Sequence, residues 1–227
     1  VVFMRGAFPL IILGITSHMG PVDAIRTALF SPEEYAASLE KARPLIMGFG
    51  GSFLGMVGLK FMLDAEKDVH WIAPVEKLLQ KIGKIEAVAI VIVLVQLLII
   101  GSLLPDQSDK GSFIISGILG VCAYLFIDGV CDAVGLEESN TPSQLAKAGL
   151  ASFIYLEVMD ASFSFDGVIG AFALSTNLFV VSLGLGIGAA FVRGITLYLV
   201  EKQTLTEYRF LEHGAFWAVL ALYESMM

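Results

Sequence analysis

Glu86-Ala-Val-Ala-Ile-Val-Ile-Val-Leu-Val-Gln-Leu-Leu-Ile-Ile-Gly-Ser-Leu-Leu104 is a run long and apolar enough to cross a hydrocarbon core about 30 Å thick as a helix. Moving outward from it, windows of about 19 residues mark further candidate spans near Val1 to Ile15, Pro44 to Leu63, Phe113 to Leu136, Ala146 to Leu174, Asn177 to Val200 and Phe210 to Met227. With 56% hydrophobic and only 16% charged residues, the 227-residue chain is too apolar and charge-poor for a water-soluble domain. The fold class is therefore all-α, a polytopic transmembrane helical bundle of about seven spans forming one membrane domain over residues 1–227. Membrane lipid is its first partner.

The net charge of -8, from 14 basic and 22 acidic residues, gives no basic surface for nucleic acid. Cys122 and Cys131 would point to opposite faces of one helix, so neither a disulfide nor a thiolate metal site is indicated. The connections are polar. Ser31-Pro32-Glu33-Glu34 reads as a helix start, and Asp64 to Lys84 reads as an amphipathic helix lying along the membrane surface. Gln107 to Lys110 and Glu137 to Ser143 read as short turns. Basic residues at Lys67, Lys77, Lys81 and Lys84, with Lys202 and Arg209 on the same side by span parity, place that side in the cytoplasm, against Arg26, Lys41 and Arg43 on the other.

The chain also carries an internal repeat. Phe3-x-Arg5-Gly6 matches Phe191-x-Arg193-Gly194, and each is followed by a Glu-Tyr and then a Leu-Glu element, at Glu34, Tyr35, Leu39, Glu40 and at Glu207, Tyr208, Leu211, Glu212. Four spans separate the copies, so the second crosses in the opposite sense, which is the inverted layout that places transporter sites between two halves. On this reading residues 1–63 end a first repeat, 64–145 hold the surface helix and connecting spans, and 146–227 form the second repeat. The opening Val1-Val2-Phe3-Met4-Arg5 enters an apolar run directly, so the chain is expected to begin mid-membrane, truncated at its N-terminus.

Chemistry concentrates in Leu156-Glu157-Val-Met-Asp160-Ala-Ser-Phe-Ser164-Phe-Asp166-Gly-Val168, which puts three carboxylates inside an apolar span. Each ionisable side chain at membrane depth costs roughly 2.5–3.5 kcal/mol on insertion scales, so three together point to a site for a cation or protons. At about 100° per residue, Glu157, Asp160 and Ser164 share a helix face, whereas Asp166 lies opposite Glu157. Convergence therefore requires a break between Phe163 and Gly167, which would add carbonyl oxygens. Such an all-oxygen set, with Glu157, Asp160 and Asp166 as metal ligands and Ser164 as an auxiliary oxygen, suits Mn²⁺, Mg²⁺ or Ca²⁺ and not the thiolate or multi-His sites of copper and zinc. The competing reading is charge pairing with Arg193 or Arg5.

Asp128 and Asp132, four apart on one helix face, are secondary candidates that either line a vestibule or are simply solvated. Gly51-x-x-x-Gly55 and Gly184-x-x-x-Gly188 read as close helix packing. His18, His70 and His213 are isolated and read as interfacial, and Trp71 and Trp217 as interface anchors. Neither Gly-x-Ser-x-Gly nor His-Glu-x-x-His occurs, so an enzyme is not expected.

The acidic segment, followed by Phe191-Val-Arg193, Tyr198-Leu-Val-Glu201-Lys and Glu207-Tyr-Arg-Phe-Leu-Glu212-His213-Gly, resembles the TerC-type integral membrane proteins, in particular a bacterial branch labelled as of unknown function. The likeness runs along nearly the whole chain and is most specific from Leu156 to Gly214. It implies kinship with LysE-type exporters, all-helical inverted repeats, and the manganese efflux or tellurite resistance to which members have been linked. It selects Glu157, Asp160 and Asp166 as metal-site positions. The family's acidic motif occurs twice, the earlier copy reading approximately Glu-x-x-Leu-Ser-x-Asp-Asn, and this chain has only the later one. The resulting expectation is an exporter in the bacterial inner membrane that carries a divalent metal ion, Mn²⁺ first among them, as substrate by alternating access. Arg193 would be its electrostatic gate, and no resident cofactor is expected. The alternative is a non-transporting membrane scaffold or partner in stress-response or protein-insertion complexes.

Overall fold

The computed structural model describes residues 20–64, 87–134, 153–160, 178–202 and 210–227, with further positions at 14, 149, 167, 168, 171 and 174. Among the described residues every regular element is a helix: α1 Pro21–Phe30, α2 Pro32–Leu63, α3 Val88–Leu103, α4 Gln107–Val134, α5 Leu178–Glu201 and α6 Leu211–Met226. Residues 153–160 are helical as well. Three stretches, Glu33–Leu63, Gln107–Val130 and Phe179–Glu201, are long and apolar enough to cross a membrane, and Val88–Leu103 is a shorter apolar helix.

Local chemistry sets the helix ends. Pro21 opens α1, where a missing N–H is tolerated. The Ser31 N–H donates to the Thr27 carbonyl at 2.8 Å, closing α1, while the Ser31 carbonyl accepts from the Tyr35 N–H at 3.0 Å, opening α2. Glu33 and Glu34 then lie in the first turn, where the helix dipole favours negative charge. The helix consequently starts at Pro32 and runs on through Pro44, where the sequence had suggested that a span begins. A second difference concerns Gln107 to Lys110, expected as a turn. They form the first turn of α4, with the Lys110 N–H donating to the Asp106 carbonyl at 3.0 Å and Asp109 near the positive end of the dipole.

By internal contacts the chain divides into two compact units, Val1–Arg43 with Phe163–Arg209, and Pro44–Ser162 with Phe210–Met227. Inside α2 the division falls at Pro44, whose ring offers no N–H to the carbonyl four residues back.

The unit containing Pro44–Ser162 has a well-defined core. Phe53, Leu54, Met56 and Val57 of α2 meet Ala89 and Val93 of α3, Val121, Tyr124 and Ile127 of α4, and Val219, Tyr223 and Met226 of α6. Glycines let these helices approach. A Cβ added at Gly48 of α2 would strike the Phe113 carbonyl and the Ser116 hydroxyl of α4, and one added at Gly120 of α4 would strike the Phe49 carbonyl of α2. Farther along α2, a Cβ at Gly55 would meet the Tyr223 ring at 2.7–3.0 Å and one at Gly58 the Leu220 side chain at 2.6 Å. Gly51 and Gly55 thus pack closely, as their spacing suggested. This small-residue contact is the usual way for helices to associate in lipid, where apolar burial supplies little drive.

In the other unit, α5 behaves differently. Only 11% of its apolar window is buried, against 67% for Glu33–Leu63. Phe179, Leu183, Ile187, Phe191 and Ile195 are all exposed, and a Cβ added at Gly184 would meet nothing within 4 Å. The packing expected of Gly184-x-x-x-Gly188 is therefore not seen at Gly184. An apolar helix this open is stable only where lipid or other apolar groups surround it.

Candidate functional site

The acidic segment enters as helix. In residues 153–160 Tyr155, Val158 and Met159 pack against the core, while Phe153, Ile154 and Leu156 are exposed. Glu157 and Asp160 are half-buried and, three residues apart, lie on one side of the helix as expected. The Asp160 carboxyl is directed inward, with Oδ2 fully buried.

The other members of the expected site cannot be placed beside this pair. Ser164, Asp166 and Arg5 lie outside the described residues, as does the expected break between Phe163 and Gly167 up to Gly167 itself. Gly167 and Val168 are helical, with Val168 buried. Arg193 is on α5 and exposed. Among the described residues no group of three or more His, Cys, Asp or Glu side chains is arranged to hold a metal ion, so the described part of the acidic motif amounts to two carboxylates. The first Phe-x-Arg-Gly copy, the Glu207-Tyr208 element and the amphipathic stretch from 65 to 86 also lie outside the described residues.

Asp128 makes a contact that neither expectation included. Its carboxylate receives the Lys60 ammonium on both oxygens, at 2.7 and 2.6 Å, and Lys60 also sits 5.9 Å from the centre of the Tyr124 ring. The pair joins α2 to α4, and both side chains keep solvent access. Lys60 is 68 residues away in sequence, which is why spacing on one helix could not reveal it. Asp132 is helical, and its side chain lies outside the described residues.

From the Lys60–Asp128 pair, aromatic contacts lead toward the acidic helix. Tyr124 packs edge-on to Phe53 at 5.8 Å, and Phe53 lies 6.1 Å from Tyr155, two residues before Glu157. His213, read as interfacial, is instead buried between Phe61 at 5.3 Å and Phe210 at 6.3 Å, with Phe61 stacked on Phe216 at 3.8 Å. One helical turn on from His213, Trp217 holds its indole Nε1 buried, with no hydrogen-bond partner among the described residues.

The family described as "Protein of unknown function (DUF475)" matches residues 1–227. The chain belongs to this family. No curated protein and no solved structure matches it. The match covers the residues of both compact units, including the segment that carries Glu157, Asp160 and Asp166.

This DUF475 chain holds one further polar cluster that sequence reasoning passed over. The Tyr223 hydroxyl of α6 donates to Gln96 Oε1 of α3 at 2.7 Å, and Gln96 Nε2 donates to Glu224 Oε2 at 2.9 Å. The signal was present, since Gln96 interrupts an otherwise apolar α3 and Glu224 closes an apolar α6. The two lie 128 residues apart in sequence, and only their contact makes a cluster.

Proposed function

We propose that this protein is a multi-pass membrane exporter of a hard divalent cation, with Mn²⁺ the first candidate, and that Glu157 and Asp160 are direct ligands. The inward carboxyl of Asp160, with Oδ2 fully buried on the same side of an apolar helix as Glu157, carries this reading. Carboxylates at such a position are costly unless they serve a cation or proton pathway. Oxygen donors favour hard ions over copper or zinc. Asp166 would complete the set as ligand or proton-coupled carboxylate, Ser164 would add an auxiliary oxygen, and Arg193 would act as an electrostatic gate. The resemblance of Leu156 to Gly214 to TerC-type proteins supports alternating access between inverted halves and a bacterial inner-membrane location.

The test is cellular metal content. In cells lacking their own manganese exporters, expression should lower accumulated manganese and raise tolerance to it, and Asp160→Asn should abolish both effects while the protein remains folded in the membrane. If no divalent metal changes on expression, the exporter reading fails.

The scaffold reading draws on the Lys60–Asp128 pair, in which a lysine of α2 answers an acid of α4 within the bundle. Metal tolerance unchanged in Asp160→Asn, together with loss of a co-purifying membrane partner, would favour it.

A further inference from the structure

Residues 153–160 and the core formed by α2, α3, α4 and α6 belong to one compact unit, so the turn of this helix about its own axis can be read from its contacts. Tyr155, Val158 and Met159 meet that core, and the Tyr155 ring lies 6.1 Å from the Phe53 ring. At about 100° per residue, Val158 and Met159 fall within about 60° of Tyr155 around the helix, whereas Glu157 and Asp160 fall about 160° and about 140° away. Both carboxylates are therefore on the side of the helix turned from the core.

Asp160 has a short side chain that cannot reach round its own helix. The burial of its Oδ2 thus comes from a direction other than that of the core. The core is also the wrong surface for a hard cation. It presents Phe53, Leu54, Met56 and Val57 of α2 with Val121 and Tyr124 of α4, apolar and aromatic groups, whereas such ions take carboxylate, carbonyl and water oxygens.

Tyr155 sets this orientation more firmly than its aliphatic neighbours. Its seat, Phe53, is fully buried and held edge-on by Tyr124 at 5.8 Å, so the ring it rests on has little freedom to follow it. Turning the helix by one residue, about 100°, would withdraw Tyr155 from Phe53 and swing the carboxylates toward apolar side chains.

We propose that Tyr155, seated on Phe53, is a positioning residue of the cation site: it holds Glu157 and Asp160 on the side of their helix turned away from the four-helix core, and the cation is met there. This rests on the exporter reading above and deepens it. The core then acts as a fixed seat and supplies no ligand to the ion.

The test has two arms, both in protein freed of thiols by Cys122→Ser and Cys131→Ser. In the first, Phe53→Cys is combined with Tyr155→Cys or with Glu157→Cys, and a short bifunctional methanethiosulfonate is added to the protein in proteoliposomes. Phe53→Cys is common to both pairs, so any loss of core packing is shared. The reagent should link 53 to 155 and not 53 to 157, and the 53–155 link should leave Mn²⁺ flux intact, because the ion does not pass between this helix and α2. In the second arm, Tyr155→Ala should raise the KM for Mn²⁺ about tenfold or more, as loss of a ligand-orienting neighbour does, with the amount of folded protein kept, and Tyr155→Phe should restore it. Linking at 157 in preference to 155, flux blocked by the 53–155 link, or equal KM values in Tyr155→Ala and Tyr155→Phe would overturn the assignment. If the unlinked protein moves no Mn²⁺, the exporter reading fails, while the linking pattern still decides which way the carboxylates face.

Discussion

Gly120→Ala is the sharpest test of the packing between α2 and α4. The added methyl carbon would strike the Phe49 carbonyl oxygen, with the Phe49 carbonyl carbon at 3.1 Å and Cα at 3.2 Å. These are backbone atoms, so no side-chain rotation relieves the contact and the helices must separate. Overpacking of this kind costs about 1–3 kcal/mol, and an obstacle made of backbone puts it at the upper end. Replacing glycine by alanine within a helix returns up to about 1 kcal/mol. The net loss is about 2 kcal/mol, roughly a 30-fold fall in the folded-to-unfolded ratio. Gly129 of the same helix is the internal control, because a Cβ there meets nothing within 4 Å. Gly129→Ala should therefore be neutral or stabilising by up to about 1 kcal/mol. Unfolding of both variants in bicelles, followed by circular dichroism as denaturing detergent is increased, reads the difference. Gly120→Ala as stable as Gly129→Ala would refute the close crossing.

Three other outcomes follow from the same contacts. Gly55→Ala pushes on the Tyr223 ring, so it should weaken the hydroxyl bond to Gln96 and cost about 1 kcal/mol, measured by the same unfolding assay, with little further loss when combined with Tyr223→Phe. A double-mutant cycle of Lys60→Met and Asp128→Asn should give a coupling of about 0.2–1 kcal/mol, because both side chains keep solvent access, and exchange of the two charges should recover most of it. Asp128→Asn should leave manganese tolerance nearly intact while Asp160→Asn abolishes it. Equal losses in the two variants would place Asp128 in the transport path after all.

Hydropathy alone located the helices well, because a membrane requires each crossing segment to satisfy its own backbone and to present apolar side chains. The run at 86–104 became α3 Val88–Leu103, and the runs at Asn177 to Val200 and Phe210 to Met227 became α5 and α6 within a residue or so at each end. Helix starts were harder. The beginning of α2 at Pro32 was legible from Ser31 and the two glutamates, whereas the first turn of α4 looked like a loop because polarity at Gln107 to Lys110 outweighed its capping chemistry. The pair Glu157 and Asp160 was legible as well, since their three-residue spacing is a property of one helix.

Composition, spans and the shared face of Glu157 and Asp160 were thus determined by sequence, all of them consequences of nearest-neighbour spacing and transfer energy. Tertiary structure alone decided that Lys60 answers Asp128, that His213 lies buried among aromatic rings, that Gly55 admits Tyr223 while Gly184 stands open, and that Glu224 meets Gln96. The physical reason is common to all four. Each depends on which helices become neighbours and at what height, and in a membrane every apolar helix presents much the same surface to every other, so partner and depth are set by close packing at a few small residues.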